Sequence, residues 1–301
     1  MDYNYAMQCD FYGISELPKS VNDWELDYVQ TDPGELESDI LALHSGTLQI
    51  AYGFFDKGMI QAGTAPKGYR TFKIMSDPKT SCMAYGSTFA GSEILAVPAS
   101  RELDIVTGSD HSNFNISLPT GELETLSDNF GCDNLLGQLN TTNIFRPSPV
   151  TLTLLQQTLR QVDSHARKGC SPSDFASIRE DVLSAFFSCF STTSGVRDLT
   201  TPKLRRQVVQ RALEFIRAGG RENISITALC EVTGASRRTL FYAFRQYLGI
   251  TPSAYIKAVF KNSVALSVFL NSLHVQAKLE GAFDEETFEN QDVGTCFFSK
   301  S

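Results

Sequence analysis

Between Ser225 and Tyr255 the chain reads SITALCEVTGASRRTLFYAFRQYLGITPSAY, and no other segment constrains its fold as closely. Ser225 has the chemistry of a helix N-cap, because its hydroxyl accepts an orphan N–H of the first turn. Ile226, Leu229, Cys230 and Val232 follow as an apolar stripe at helical spacing. Gly234 falls where that helix has to end, and glycine takes a left-handed backbone without steric cost. Ser236 then caps a second helix, in which Leu240 and Phe244, four apart, face the core. Arg237, Arg238, Phe241, Tyr242 and Arg245 lie off that stripe. Two short helices, a tight turn and a basic second helix predict a helix-turn-helix, the second helix being suited to a DNA major groove.

The charge distribution agrees. The chain of 301 residues carries a formal net charge of −8, the wrong sign for a nucleic-acid binder until it is divided. Residues 201–260 hold ten Lys or Arg against three Glu, whereas residues 1–200 hold 13 basic and 25 acidic side chains. Beyond Lys261 the chain is acidic again, with two Lys against six acids. The one basic segment is therefore the one with the helix-turn-helix pattern, and a local basic footprint is what attracts phosphate.

At this length the chain holds two modest domains. No apolar run reaches the roughly 20 residues needed to span a bilayer, and the N-terminal MDYNYAMQCDFYG lacks the basic start and apolar core of a secretory signal. Seven scattered cysteines without a C-x-x-C predict reduced thiols and a cytoplasmic protein.

From Trp24 to Pro119 the chain reads as short strands: Thr47 to Phe55, Tyr69 to Met75, Glu93 to Val97, Arg101 to Val106 and Phe114 to Leu118. Turn signals such as Asp32-Pro33-Gly34, Ser45-Gly46 and Asp77-Pro78 separate them. Many short strands at near-regular spacing predict a sandwich or barrel. From Thr151 the period becomes helical. Leu152, Leu155, Leu159 and Val162 form one stripe, and Phe175, Ile178, Val182, Phe186 and Phe190 form another. Each stripe is suited either to packing on the strands or to a dimer interface. Ser191 to Thr201, polar and small, reads as a linker, and the helix after Thr201-Pro202 carries Val208, Val209, Ala212, Phe215 and Ile216. The fold class expected is α+β.

The helix-turn-helix segment resembles the DNA-binding domain of AraC/XylS-type transcription regulators. Leu229-Cys230, Gly234-Ala235-Ser236, Arg238-Thr239-Leu240, Phe244 and the block from Gly249 through Thr251-Pro252 to Tyr255 carry the likeness. The resemblance implies residues 1–150 as a cupin-like β-barrel that senses an effector, 151–200 as a helical dimerisation region with its linker, and 201–273 as the DNA-binding domain. Residues 274–301 are left as an acidic irregular tail. It implies double-stranded promoter or operator DNA and a second copy of the chain as partners, and a small organic effector. Residues 237–246 become the recognition helix. Arg238 and its neighbours Ser236, Arg237, Phe241, Tyr242 and Arg245 are the expected DNA contacts, since Arg donates two bonds to guanine and an aromatic edge meets a thymine methyl. The competing reading is a merely solvated basic face. Among the aromatics of the candidate strands, Tyr52, Phe54, Tyr69 and Phe72 are the expected effector lining, against the commoner alternative of core aromatics.

The resemblance stops near Val259. The family carries a second helix-turn-helix, and the segment from Phe260 onward, NSVALSVFLNSLHVQAKLEGAFDEETFENQDVGTCFFSKS included, contains none of its words. Either this is a relative that has lost the unit, or the reading frame departs from that of a longer regulator. A regulator reduced to one unit, which dimerises but binds DNA weakly or not at all, is therefore the alternative function. A cupin-type enzyme with a fused binding module is a further one. Against the enzyme, the four histidines are dispersed and no H-x-H pair, P-loop, H-E-x-x-H or G-x-S-x-G occurs. No metal and no cofactor are expected, and Asp39, His44, Asp104 and Asp110 are expected to be solvated loop and strand-end residues.

Overall fold

The computed structural model describes residues 4–14, 17, 20–21, 24–97, 102–132, 135–191, 193, 196–197, 203–218, 224–260 and 297–300. Its strands form two antiparallel sheets. The larger sheet, A, runs in the order β14 (Val196–Arg197), β13 (Ile144–Phe145), β10 (Ile94–Ala96), β7 (Tyr69–Met75), β12 (His111–Pro119), β5 (Leu48–Phe55), β4 (Glu37–Ser45), β1 (Tyr5–Tyr12), β15 (Phe297–Lys300). Sheet B runs β2 (Ser20–Val21), β3 (Trp24–Gln30), β6 (Met59–Thr64), β11 (Leu103–Thr107), β8 (Ser81–Ala84), β9 (Ser87–Ala90). The α+β class holds.

Period-2 alternation assigns each face. Leu48, Ile50, Phe72, Ile74, Phe114 and Ile116 of sheet A point outward and are sealed by helices α3 (Pro149–Ala166) and α4 (Pro172–Ser191). Both helical stripes of the sequence, from Leu152 to Val162 and from Phe175 to Phe190, are buried in this layer. They are covered within one chain. Phe186 sits at the centre, its ring 4.8 Å from Phe72 and 4.9 Å from Phe190. The short helices α1 (Leu123–Asn129) and α2 (Leu135–Thr141) close the same layer through Leu123 and Leu135.

The opposite face of sheet A meets sheet B, with Met75 and Leu95 packed among Trp24, Phe89, Leu103 and Ile105. The outer face of sheet B presents Val29, Ile60 and Val106 to the C-terminal helices α5 (Lys203–Ala218), α6 (Ile226–Thr233), α7 (Arg237–Leu248) and α8 (252–260). Sheet B thus separates the interior of the strand-rich half from the basic helical segment.

Several expectations need correction. The strand region begins before Trp24, at β1, which pairs along its length with β4. Phe297–Lys300, expected in an irregular tail, instead adds an edge strand to β1, with Tyr5 opposite Lys300. Val196–Arg197, expected in a linker, pairs with β13. A free strand edge takes such partners because its N–H and C=O groups need them. Residues 261–296, on which the continuation of the connecting helix and most of the acidic tail were expected, lie outside the described residues. Cys82, Cys132, Cys170, Cys189 and Cys230 are free thiols, but Cys9 is disulfide-bonded, which departs from the expectation of reduced thiols throughout. Among the described residues no helix is long and apolar enough to cross a membrane.

Candidate nucleic-acid interface

Helix α6 begins where Ser225 caps it, its hydroxyl accepting the Ala228 N–H at 3.1 Å. It ends at Gly234, which is left-handed at φ 65°. There the Ala235 N–H reaches the Cys230 carbonyl and the Gly234 N–H the Glu231 carbonyl, satisfying groups the helix end would otherwise orphan. Ser236 caps α7 through the Thr239 N–H at 3.2 Å, and Gly249, φ 71°, ends it.

The block from Gly249 to Tyr255 is structural. Thr251 accepts the Ala254 N–H at 3.2 Å and so caps α8. Pro252 occupies the first turn, where its missing N–H costs nothing. Tyr255 is buried with its ring 6.1 Å from that of Phe244. The residues that carry the family resemblance most sharply thus fix the junction of α7 with α8.

A common core holds the helices together: Val208, Val209, Ala212, Leu213 and Ile216 of α5, Leu229 of α6, and Leu240, Ala243, Phe244, Tyr247 and Leu248 of α7. Val232, assigned to the inward stripe from sequence, is instead exposed, and Thr233 takes the inward position with its hydroxyl donating to the Leu229 carbonyl at 2.7 Å. Leu229 and Thr233, four apart, lie about 40° from each other around the helix, whereas Val232 lies about 60° from Leu229 on the other side and about 120° from Ile226.

The predicted contact residues come to one surface. Ser236, Arg237, Arg238, Tyr242 and Arg245 are exposed, and Phe241 is half-buried. The Arg237 guanidinium lies 5.6 Å from the Phe241 ring centroid. Arg205 of α5 lies 5.0 Å over the Tyr242 ring and donates to the Gln246 side-chain carbonyl, while the Gln246 amide donates to the Tyr242 hydroxyl at 2.9 Å. Tyr242 is therefore held by Arg205 and Gln246. Arg237 and Arg238 occupy the first turn of α7, the end that reads base edges when such a helix enters a major groove. Three exposed arginines and the exposed Tyr242 on a doubly capped helix can donate to phosphate and base-edge acceptors, with half-buried Phe241 beside them as an apolar edge.

The buried end of α7 faces sheet B. Asp104, on β11, is buried there. Burial pushes its carboxyl up to about 6, against the pull of Tyr247, Arg217 and Arg206. The same burial raises the Tyr247 phenol far above its ordinary range. At the rim Arg217 of α5 approaches Asp27 of β3 at 3.9 Å.

The four expected effector residues are not brought together. Phe72 is in the layer under α4, edge-on to Phe186 and Phe190. Tyr52 packs on Phe114 and beneath Arg167, and it also borders a cleft between the two sheets. Phe54 and Tyr69 are half-buried and line no part of that cleft. Asp39 pairs with Arg167 at 2.6 Å, His44 stacks on Tyr5 at 4.5 Å, and Asp110 is exposed in a turn. Among the described residues no three His, Cys, Asp or Glu side chains converge as a metal site would require.

No family model matches the chain, and no curated protein matches it. Among solved structures it is similar to the AraC-like transcriptional activator CuxR, at 13% identity and a TM-score of 0.42, over 77% of this chain and 83% of that one. It is also similar to ToxT from Vibrio cholerae, at 10% identity and a TM-score of 0.26, over 79% of this chain and 99% of that one. A second ToxT structure, from Vibrio cholerae O395, gives 8% and 0.25 over 79% and 98%. At these values the likenesses do not say what this chain binds.

Proposed function

We propose that the chain is a transcription regulator of the AraC/XylS kind that reads double-stranded operator DNA with α7. The observation that carries this reading is the α6–turn–α7 unit: a buried face locked into a helical core, and an opposite face of exposed Arg237, Arg238, Tyr242 and Arg245. In this reading residues 201–273 bind DNA, the cupin-like strand-rich half from 1 to 150 senses a small organic effector, and residues 151–200 contribute to a homodimer. Because the stripes of α3 and α4 are consumed by sheet A, the dimer uses other surfaces, and sedimentation at increasing concentration tests for it. The chain acts by binding and not by catalysis.

Gel shifts with DNA from upstream of the gene test the reading at two salt concentrations. Specific retention that weakens as salt rises is the expected outcome, because phosphate contacts release counterions. No retention at low salt favours the alternative of a regulator reduced to one reading unit, since a single helix makes few contacts. Replacing Arg238 with alanine is expected to cost about 1–3 kcal/mol of specific binding if it reads a guanine. Unchanged operator affinity removes Arg238 from the interface.

A further inference from the structure

Side chains from two helices are linked at the flank of α7. The Arg205 guanidinium of α5 lies over the Tyr242 ring, 5.0 Å from its centroid, and donates through Nη1 to the Gln246 side-chain oxygen. Gln246, one turn beyond Tyr242 on α7, donates its amide to the Tyr242 hydroxyl oxygen at 2.9 Å. Chemistry fixes which atom faces which. Arginine has donors and no acceptor, so only the oxygen of the Gln246 amide can face it. The amide nitrogen is thereby turned to Tyr242, and because that nitrogen only donates, the phenol oxygen has to accept. Tyr242 Oη therefore accepts on one side, and its own O–H points away from Gln246. The side chain is 51% exposed, and the O–H donates to no described group.

Arg205 is also left with unused donors. Its Nε and Nη2 donate to no described group. Among the described residues no carboxylate lies within ion-pair reach of it. One unpaired positive charge and one outward O–H thus stand side by side, next to the surface that carries Arg237, Arg238 and Arg245. Both are held in place before any ligand arrives, which removes part of the ordering cost of binding.

Position and charge select the ligand. Arg237 and Arg238, in the first turn of α7, stand at the end that reads base edges. Tyr242 lies five residues beyond Arg237, and Arg205 belongs to a different helix packed beside α7. A base edge is uncharged and would leave the Arg205 charge unmatched. A phosphodiester carries one negative charge and two free oxygens, one for each donor.

We propose that Arg205 and Tyr242 clamp a single backbone phosphate of the duplex, the Tyr242 O–H bonding one free oxygen and the Arg205 guanidinium the other, with Gln246 as the positioning residue that aims both. This rests on the reading that α7 enters DNA, and it assigns Tyr242 to the register of the helix on the duplex instead of to its sequence.

Fluorescence anisotropy with the full chain tests this on two probes, a random-sequence duplex at low salt and the DNA upstream of the gene. Every sequence offers phosphates, so Tyr242→Phe, which removes one O–H and keeps the ring under Arg205, is expected to weaken binding to both probes by the same factor. That factor is about 10-fold, the lower end for a hydrogen bond to a charged acceptor. The change is neutral and leaves the salt dependence as it was. Arg205→Gln is expected to lower the slope of log affinity against log salt by about one. Arg205→Lys is expected to keep that slope and still bind several-fold more weakly, because lysine lacks the planar fork that reaches Gln246 and a phosphate together. Gln246→Leu is expected to weaken binding several-fold in the unaltered chain and to have no further effect once Arg205 and Tyr242 are both replaced. Unchanged affinity in Tyr242→Phe overturns the clamp while DNA binding stands. A loss confined to particular base pairs of the upstream DNA overturns it too, and makes Tyr242 a base reader. No retention of either duplex by the unaltered chain removes the DNA reading and the clamp together.

Discussion

Replacing Asp104 with asparagine is expected to stabilise the folded chain by up to about 3 kcal/mol at pH 7.5 and to change little near pH 4. The folded chain keeps a proton on Asp104 up to about pH 6, because the carboxyl is buried against α7, while the unfolded chain releases it near 3.8. Between those values the folded state binds more protons, so stability falls as pH rises through the window and is level above it. A shift of about two pH units corresponds to about 3 kcal/mol. Asparagine imitates the protonated acid and removes the penalty. The charged groups that act on Asp104 are Arg206 and Arg217, which favour its ionised form, and Glu102, which opposes it. Urea unfolding of both proteins at the two pH values measures the difference, and the opposing titration of His111, drawn down to about 3 by burial, cancels because both proteins contain it. A destabilised Asp104→Asn at pH 7.5 sinks the prediction and makes the ionised pair with the two arginines the favourable state. The consequence for function follows from position. Asp104 lies on the outer face of β11, where sheet B meets the helical segment, and Leu103 on the same strand lines the cleft. A group that strains this contact when ionised weakens the hold of the sheet on α7.

The helical segment was the most legible part of the chain. Ser225, Gly234 and Ser236 fix the ends of α6 and α7 by local hydrogen bonding, and local rules suffice where caps are strong. Strand Tyr69–Met75 was read to the residue, because turns flank it on both sides. Strand β4 was missed: ILALH is a continuous apolar run, which periodicity does not separate from a helix. The cleft was missed for a different reason. Sheet A is covered on both faces, so alternation sorts Tyr52 and Phe72 from Ala51 and Lys73 without saying which set meets helices and which meets the other sheet. The aromatic set was taken as effector lining, and the structure seats Phe72 beneath α4. The available signal was Lys73 itself, a charge between Phe72 and Ile74 in the middle of an apolar strand. The link of Arg205 and Gln246 to Tyr242 was not legible, because it spans two helices, which no local pattern encodes.

Phe186→Ala is expected to cost about 3–5 kcal/mol, the usual loss for a large aromatic removed from a packed core. Phe186 is fully buried, and its ring meets Phe72, Phe187 and Phe190 at 4.8, 5.1 and 4.9 Å in edge-on geometry. Each such pair contributes beyond its buried area. The cavity would open between α4 and sheet A, where backbone ladders on one side and α3 on the other resist collapse, which places the cost toward the upper end. Val150→Ala on α3, whose side chain is 78% exposed, is the control and is expected to lie within about 0.5 kcal/mol. Denaturant midpoints for the two variants measure the contrast, and a loss below about 1 kcal/mol for Phe186→Ala shows that the layer repacks. The helical segment has a core that shares none of these phenylalanines. If it folds as its own unit, DNA retention survives Phe186→Ala at temperatures where the strand-rich half has melted. If retention is lost along the same melting curve, the contact through Ile60, Val29 and Val106 makes the two halves one cooperative body.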